Sequence, residues 1–292
     1  MSVPASASTL DRLDGHAEWR PWVDLLRAMR DELRNPSYEA AVPDEPRAAH
    51  DAPLIDGAEL RVESDVVQTW VRRLLGLAAR AGGPAATLAP AARAASLDAC
   101  ALVEAAVAAD RVRLDAIAGE IGADADALAA VAPLAAMPLL HACGRRWTAR
   151  VPRTWEHGYC HVCAAWPAFA EARGLERARR LRCVRCGGDW WIEWLCCPYC
   201  GVRDHERLGA LVPEGAAERR KVETCDACRH YVKTLTTLTP TPPADVAAED
   251  LATVELDVAA LAHGYLPADG LGSAITVRVV PRPRRGWLAA LR

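Results

Sequence analysis

Eight cysteines occur in four Cys-x-x-Cys pairs, and these pairs are the residues of this 292-residue chain best suited to chemistry. They are Cys160/Cys163, Cys183/Cys186, Cys197/Cys200 and Cys225/Cys228. A two-residue gap lets one tight turn direct both sulfur atoms at the same ion, and thiolate sulfur is a preferred ligand of zinc and iron. The four pairs therefore predict two metal sites, each held by four thiolates.

The spacing between the pairs predicts how they combine. Nineteen residues separate the first pair from the second, and twenty-four separate the third from the fourth. Both intervals suit a rubredoxin-like or zinc-ribbon unit, in which two knuckles face each other across a short sheet. Pairing in sequence order closes the shorter loops and costs less chain entropy. Tetrahedral sulfur ligation suits both zinc and mononuclear iron, so the spacing leaves the metal open.

The knuckles differ in the residue that follows the second cysteine. Gly187 and Gly201 suit a turn that requires positive φ, because glycine has no Cβ. Ala164 and Arg229 stand at the equivalent places and must complete the turn with a less permissive side chain. Cys196 is adjacent to Cys197, so we expect its side chain to point the other way and to bind no metal.

The remaining histidines, tryptophans and cysteines have simpler expected roles. No predicted site lacks a cysteine, so we expect the histidines of this region to face solvent; they are His157, His161, His205 and His230. Three tryptophans beside the central knuckles are expected to supply the core of the ribbons; they are Trp190, Trp191 and Trp194. Cys100 and Cys143 stand singly on or beside apolar helices, where we expect them to pack as small hydrophobic residues.

Composition indicates a reducing compartment. The chain has eleven cysteines, and an odd count without an export signal argues against a disulfide framework. The N-terminal segment has neither the basic region nor the apolar run of a signal peptide, so we expect a cytoplasmic protein. No apolar run approaches the ~20 residues that span a bilayer, and we expect no membrane insertion.

The elements that must position the cysteines change character at about residue 145. Upstream, apolar residues recur at helical spacing in an Ala-rich sequence, although residues 37–60 hold three prolines and predict a linker or surface loop. Downstream, short β-like segments follow one another through the cysteine region. A helix is then expected from about 249 to 263, and a basic, β-like stretch over 275–285.

These patterns predict an α+β protein with an N-terminal α-helical domain followed by two tandem rubredoxin-like or zinc-ribbon metal modules. The predicted divisions are a helical domain over 1–150, the metal modules over 151–240 (about 155–195 and 195–240), and a C-terminal helix and tail over 241–292.

Motifs of catalysis are missing from the sequence. It has no glycine-rich phosphate loop, no Gly-x-Ser-x-Gly elbow and no His-Glu-x-x-His helix. Four protein ligands close a metal site, and closed sites are structural or carry electrons. We therefore predict that the protein is not an enzyme.

Several motifs around the cysteines resemble a known family. They are Gly-Tyr-Cys-His-Val-Cys (158–163), Arg-Cys-Val-Arg-Cys (182–186), Cys-Pro-Tyr-Cys-Gly (197–201), Val-Glu-Thr-Cys-Asp-Ala-Cys-Arg-His-Tyr-Val-Lys (222–233), Asp-Leu-Ala-Thr-Val-Glu-Leu-Asp (250–257) and His-Gly-Tyr (263–265). In this order they resemble the formate dehydrogenase accessory protein FdhE family, from about Trp155 to Tyr265. The sequence departs from the family at Ala164, where glycine is usual, and in the additional Cys196.

The resemblance implies a cytoplasmic maturation factor that binds the catalytic subunit of exported, respiratory formate dehydrogenases before transport. It also implies rubredoxin-like iron sites on the Cys-x-x-Cys motifs, so that iron is favoured and zinc stays possible. The eight paired cysteines match those motifs position by position and take the ligand role from them. A homo-oligomer is possible, because the sequence does not reveal the oligomeric state.

Two alternatives remain open. Residues 144–233 hold seventeen Lys/Arg and eleven Asp/Glu, a formal excess of six, which would suit a zinc ribbon that binds nucleic acid. The basic residues nearest the knuckles are Arg182, Arg185, Arg219, Arg220 and Lys221. Two tetrathiolate sites of charge −2 would offset most of that excess, so we expect no nucleic-acid partner. The other alternative is a rubredoxin-like electron carrier.

Overall fold

The computed structural model describes residues 9–15, 19–49, 51–151, 154–212 and 219–282. Within these ranges most helices come first and most strands come later, so the predicted α+β fold class is confirmed. The helices are α1 (Thr9–Leu13), α2 (Arg20–Glu32), α3 (Pro36–Glu39), α4 (Ser64–Ala78), α5 (Leu88–Ala91), α6 (Ala99–Ala108), α7 (Arg111–Ile121), α8 (Ala125–Arg146), α9 (Val246–Leu251) and α10 (Val254–Ala262). The strands are β1 (Ala58–Glu63), β2 (Phe169–Arg173), β3 (Ala178–Arg182), β4 (Asp189–Trp191), β5 (Leu208–Leu211), β6 (Arg220–Cys225), β7 (Tyr231–Thr237) and β8 (Val277–Arg282).

Aspartates begin three of the helices in the N-terminal part. The side chains of Asp98, Asp110 and Asp124 each accept a hydrogen bond from the backbone N–H three residues later, at 2.9–3.0 Å. Each bond satisfies one of the amides that the first turn of a helix leaves without a partner. The N-terminal boundaries of α6, α7 and α8 are thus set by local residues.

Helix α8 forms the core of this helical part. By length and composition it could cross a membrane, but 67% of its most apolar window is buried inside the protein. It packs against α4, α6 and α7, and Trp70 of α4 donates from Nε1 to the carbonyl oxygen of Ala135 at 3.1 Å. These contacts make it the central helix of a bundle.

Residues 37–60 are tied into the core more closely than a linker would be. Tyr38, Val42 and Ile55 are buried. The backbone N–H groups of Leu54 and Ile55 donate to carbonyl oxygens of the first knuckle, at 2.8 and 3.0 Å. Strand β1 then pairs in parallel with β8 from the other end of the chain. The sequence alone could not predict β1, because a parallel pair depends on its distant partner.

Strands β2 to β7 form one six-stranded sheet in the order β4-β3-β2-β7-β6-β5. Each half of it is antiparallel, and the halves meet where β2 and β7 run parallel, with Phe169 opposite Lys233. The two modules therefore share a continuous sheet. The domain boundaries near 150 and 240 stay predictions, and the end of the predicted β-like stretch, 283–285, lies outside the described residues.

Two helices cover one face of the sheet where one was expected over 249–263. They are α9 and α10, and they break at Thr253, whose hydroxyl donates to the carbonyl oxygens of Glu249 and Asp250. Lys233 of β7 is nearly fully buried beneath them and pairs with Asp250 at 2.6 Å and Asp257 at 2.9 Å. A buried ammonium needs such partners, so these pairs fix the helices to the sheet.

Candidate metal centres

The four Cys-x-x-Cys turns have the same backbone structure. In each, the residue after the second cysteine donates its N–H to the carbonyl oxygen of the first cysteine, at 2.8–3.0 Å. The N–H of the first cysteine in turn donates to the carbonyl oxygen five residues later, again at 2.8–3.0 Å. The donors of the first kind are Ala164, Gly187, Gly201 and Arg229. The repeated geometry is the knuckle that the sequence predicts.

All four of those donors adopt positive φ, as predicted from the two glycines. Ala164 has φ 60° and Arg229 φ 63°, and each glycine has φ 71°. The left-handed region costs an L-residue about 1–2 kcal/mol. Arg229 offsets this cost with its side chain, which donates to the carbonyl oxygens of His263 and Gly264 and lies 4.1 Å from the ring centroid of Tyr265.

The first cluster consists of Cys160, Cys163, Cys183 and Cys186. The sulfurs of Cys160 and Cys186 are 3.4 Å apart, those of Cys163 and Cys183 are 3.5 Å apart, and all four lie within 4.8 Å of one another. A disulfide requires ~2.05 Å. A tetrahedron of sulfurs around zinc or iron, with bonds of ~2.3 Å, has edges of ~3.8 Å. The cluster therefore fits one tetrahedral ion.

The second cluster consists of Cys197, Cys200, Cys225 and Cys228. Two of its sulfur–sulfur distances, Cys197 to Cys228 and Cys200 to Cys225, are both 3.7 Å, and again all four atoms lie within 4.8 Å. The first pair thus combines with the second and the third with the fourth, as the shorter loops predict. The ligand role of the eight cysteines stays a prediction.

Burial distinguishes the two clusters. All four cysteines of the first are buried, whereas Cys200 is exposed and Cys228 is half-buried in the second. The first ion would therefore be sealed from water, and the second would be reachable from one side.

The ionisation of the thiols favours a cation in both places. Burial raises the pKa of Cys160 and of Cys197, so these thiols resist ionisation when no positive charge is near. Contacts from the other three thiols of the first cluster lower the pKa of Cys163. A divalent ion would supply the charge that lets all four sulfurs bind as thiolates.

The first cluster is anchored to the helical part by Arg185, which lies between Cys183 and Cys186. Its guanidinium is buried and donates to the carbonyl oxygens of Ala106 and Val107, at 2.5 and 2.9 Å. These carbonyls lie in the last turn of helix α6, where the negative end of the helix makes a cation favourable. One arginine thus connects a knuckle to a helix end.

The expectation that the histidines face solvent is wrong for His161. It is 3% exposed, with its ring 6.3 Å from that of Trp155 and 6.1 Å from that of Trp190. Burial lowers its pKa to about 4, so at neutral pH it is an uncharged part of the wall around the first cluster. His157 and His205 are exposed, as expected, and His230 is half-buried.

Sequence reasoning missed His141, which lies within α8. It is 3% exposed, and burial lowers its pKa to about 4. Its ring approaches the second knuckle so closely that a Cβ at Gly187 would be 2.7 Å from it. Its place inside an apolar helix is a signal of burial, but nothing in the sequence connects α8 with the cysteines.

The tryptophans beside the central knuckles have different environments. Trp190 is buried, as expected of a core residue, but Trp191 is 54% exposed and Trp194 is 40% exposed. The core prediction is therefore wrong for the last two, because β4 ends at Trp191 and the segment after it runs over the surface of the sheet.

The three remaining cysteines lie outside both clusters. Cys196 is buried, and its sulfur approaches the carbonyl oxygen of Cys197 at 3.7 Å. Cys143 is fully buried in α8 and Cys100 is half-buried in α6, which agrees with the packing role expected of them. Each described cluster offers four sulfur ligands, which is a full tetrahedral set and suits a structural or electron-carrying ion.

Comparisons with known proteins agree with this geometry. Residues 181–269 match the family model described as "FdhE, C-terminal domain". A "Protein FdhE homolog" from Shewanella baltica is 31% identical over 112 residues, and another from Pseudomonas aeruginosa is 30% identical over 122 residues. These matches cover 38% and 40% of this chain but only 36% and 39% of the two relatives.

One solved structure is similar over most of the chain. The crystal structure of the FdhE protein from Pseudomonas aeruginosa superposes with a TM-score of 0.57 and covers 91% of this chain and 92% of that one. The two sequences are 22% identical over the superposition, so this likeness concerns the fold.

Proposed function

We propose that the chain belongs to the FdhE family and that it is an accessory factor for the maturation of formate dehydrogenase. The observation that carries the proposal is the pair of closed four-cysteine clusters on one sheet, the second of which lies wholly within the matched residues 181–269. The factor acts in the cytoplasm and binds the catalytic subunit of a respiratory formate dehydrogenase before its export.

We further propose that the eight paired cysteines hold two metal ions, with iron favoured over zinc. Each ion would supply the positive charge that keeps four thiolate sulfurs together, and an iron would add one-electron chemistry. Backbone amides of the knuckles orient the sulfurs: the N–H of Val162 donates to Cys160 Sγ at 3.4 Å. Arg185 holds the first cluster against α6.

On this proposal the protein works by binding and not by catalysis. Both clusters present complete sets of four sulfurs, which leaves no coordination position for a substrate or a water. Metal-assisted hydrolysis therefore has no support. On this proposal the ions would stabilise the sheet.

The test is genetic and biochemical together. Deleting the gene should abolish formate dehydrogenase activity in the host, and the unmodified gene should restore it. Protein purified without oxygen should contain two metal ions per chain and should retain the catalytic subunit. Cys225→Ser should lose one ion and fail to complement, whereas Cys100→Ser, a half-buried cysteine outside both clusters, should behave as the unmodified protein. Normal formate dehydrogenase activity in the deletion strain would disprove the proposal.

The alternative of a nucleic-acid ribbon loses its main support. Arg182 is 2% exposed and pairs with Glu171, and Arg185 is buried against α6. Lys221 pairs with Glu223, and Arg220 with an acidic residue of each C-terminal helix. Most of the basic residues that motivated this alternative are thus committed within the protein. Salt-dependent retention on DNA would restore it.

An electron carrier is the second candidate, favoured by the exposure of Cys200 in the second cluster, which would bring the ion close to the surface. The two functions differ in the metal. Colourless, zinc-loaded protein from an anaerobic preparation that still complements the deletion would exclude electron transfer and leave the accessory role intact.

A further inference from the structure

An apolar groove of about 260 Å³ lies beside the second cluster. One wall is the surface segment after β4, with Trp194, Leu195 and Tyr199, and the other is formed by β5 and β6. Leu195 is 61% exposed and Trp194 is 40% exposed. Large apolar side chains gathered at a concave surface mark a binding site more often than isolated ones do.

Strand β5 forms the open side of this groove. It pairs with β6, and among the described strands it has no partner on its other side. Its sequence, Leu-Gly-Ala-Leu over Leu208–Leu211, contains neither a charged residue nor a proline. The opposite edge strand, β4, carries Asp189, which pairs with two arginines. A sheet edge without such protection is a template for an added strand.

Lys221 shares its carboxylate partner in the groove with a second cation. Glu223 pairs with Arg179 at 2.7 Å and with Lys221 at 3.1 Å, so two cations share one carboxylate. Arg179 is 2% exposed and also donates to the carbonyl oxygens of Glu193 and Cys196, which holds the surface segment onto the sheet. Lys221 lies 5.4 Å from the ring centroid of Trp194, at the mouth of the groove. A carboxylate on an occupant would give Lys221 a partner of its own at this point of the groove.

The groove is continuous with the second cluster. Cys197 and Cys225 both belong to its lining, and β6 ends at Cys225. The two walls are therefore held at their separation by the knuckles that the metal would join. An ion in this cluster would thus preserve the groove, which gives a structural reason for having a metal there.

We propose that the groove and the free edge of β5 together bind an extended, apolar segment of the client polypeptide that carries one acidic side chain. The segment adds to β5 as a further strand, places alternate apolar side chains against Trp194 and Leu195, and directs its carboxylate at Lys221. This inference rests on the proposed function, because the client is the catalytic subunit of formate dehydrogenase.

The test measures binding of the purified catalytic subunit to the complete, metal-loaded protein. Leu195→Lys should weaken the affinity at least tenfold, because it places a charge among the apolar side chains of the groove wall. Leu238→Lys is the matched control, because Leu238 is 75% exposed and lies outside the groove lining. The affinity of this variant for the catalytic subunit should stay within twofold of that of the unmodified protein. Lys221→Glu should weaken binding and reduce its dependence on salt.

Three other results are conceivable, and each contradicts a different part of the proposal. If the unmodified protein binds the catalytic subunit and both groove variants bind equally tightly, the groove is not the docking site, and the accessory function stands. If Leu195→Lys instead abolishes self-association in sedimentation and leaves client binding unchanged, the groove joins two copies of this chain. If the unmodified protein binds no catalytic subunit, the proposed function fails and this inference fails with it. Two metal ions per chain in every variant show that the fold is preserved.

Discussion

The guanidinium Nη2 of Arg185 donates a hydrogen bond of 2.5 Å to the carbonyl oxygen of Ala106. A residue between two cysteines of the first cluster therefore binds the C-terminal end of helix α6. A second bond, to Val107, reinforces the first. The helical bundle and the first cluster therefore stabilise each other. We expect the two to unfold together.

Replacement of Arg185 tests this connection. Hydrogen bonds from a charged, buried group contribute about 1.5–3 kcal/mol, so Arg185→Met should lower the free energy of unfolding by that amount. The measurement is urea denaturation of the metal-loaded protein. Arg203→Met is the control, because Arg203 is exposed and its ion pair within the described residues is with Glu193, which is also exposed. Equal denaturation midpoints for the two variants would contradict the assigned role.

Two glycine substitutions separate backbone strain from steric conflict. Gly201 and Gly187 share φ 71°, but a Cβ at Gly201 would meet no atom within 4 Å, whereas one at Gly187 would lie 2.7 Å from both His141 and Pro243. Gly201→Ala should therefore cost about 1–2 kcal/mol of stability from the left-handed conformation alone. Gly187→Ala should cost a further ~1–3 kcal/mol from overpacking. Thermal unfolding at equal metal loading gives both values, and a smaller loss for Gly187→Ala would refute this account.

Metal loss should occur in two phases. The second cluster exposes Cys200 to solvent and the first exposes none of its sulfurs, so a chelator can attack the second ion without unfolding the protein. We expect one ion per chain to leave rapidly in excess chelator and the other to leave only as fast as the first cluster opens. A colorimetric metal indicator follows both phases. Cys200→Ala should remove the rapid phase and keep the slow one; simultaneous loss of two ions from the unmodified protein would show that the clusters are equivalent.

Glu171 should make stability depend on acidic pH. Burial raises the pKa of this carboxyl, but the N–H of Thr241 and the guanidinium of Arg182 outweigh burial and lower the pKa below its ordinary value. Because the folded-state pKa lies below the unfolded value of about 4.3, the stabilisation is complete above that pH and is lost as the pH falls through the folded-state pKa.

The corresponding variant is Glu171→Gln, which leaves the buried Arg182 without its counter-charge. It should lower the free energy of unfolding by about 3 kcal/mol at pH 7, and the difference from the unmodified protein should shrink below about pH 4. Taking the difference cancels the acid release of metal that the two proteins share. Glu176→Gln, in the exposed turn between β2 and β3, is the control and should leave the pH dependence of the free energy of unfolding unchanged. A difference that is constant with pH would contradict the assigned charge.

The knuckles were the most predictable part of the protein, since their chemistry is local. A two-residue gap, the glycines at 187 and 201, and the order of the pairs were enough to predict four similar turns and their combination into two clusters. Ala164 and Arg229 were also expected to complete the same turn, and both do so at positive φ. The aspartates that begin α6, α7 and α8 are likewise local signals.

The features that the sequence left undecided all depend on contacts between distant segments. His161 is buried because Trp155 and Trp190 enclose it, and β1 exists because β8 returns to pair with it. The sequence by itself determined that two four-cysteine clusters form, because sulfur chemistry and tight turns act over a few residues. Only the tertiary structure decided that the clusters share one sheet, that the first is sealed and the second open, and that a groove lies beside the second, because burial depends on which segments pack together.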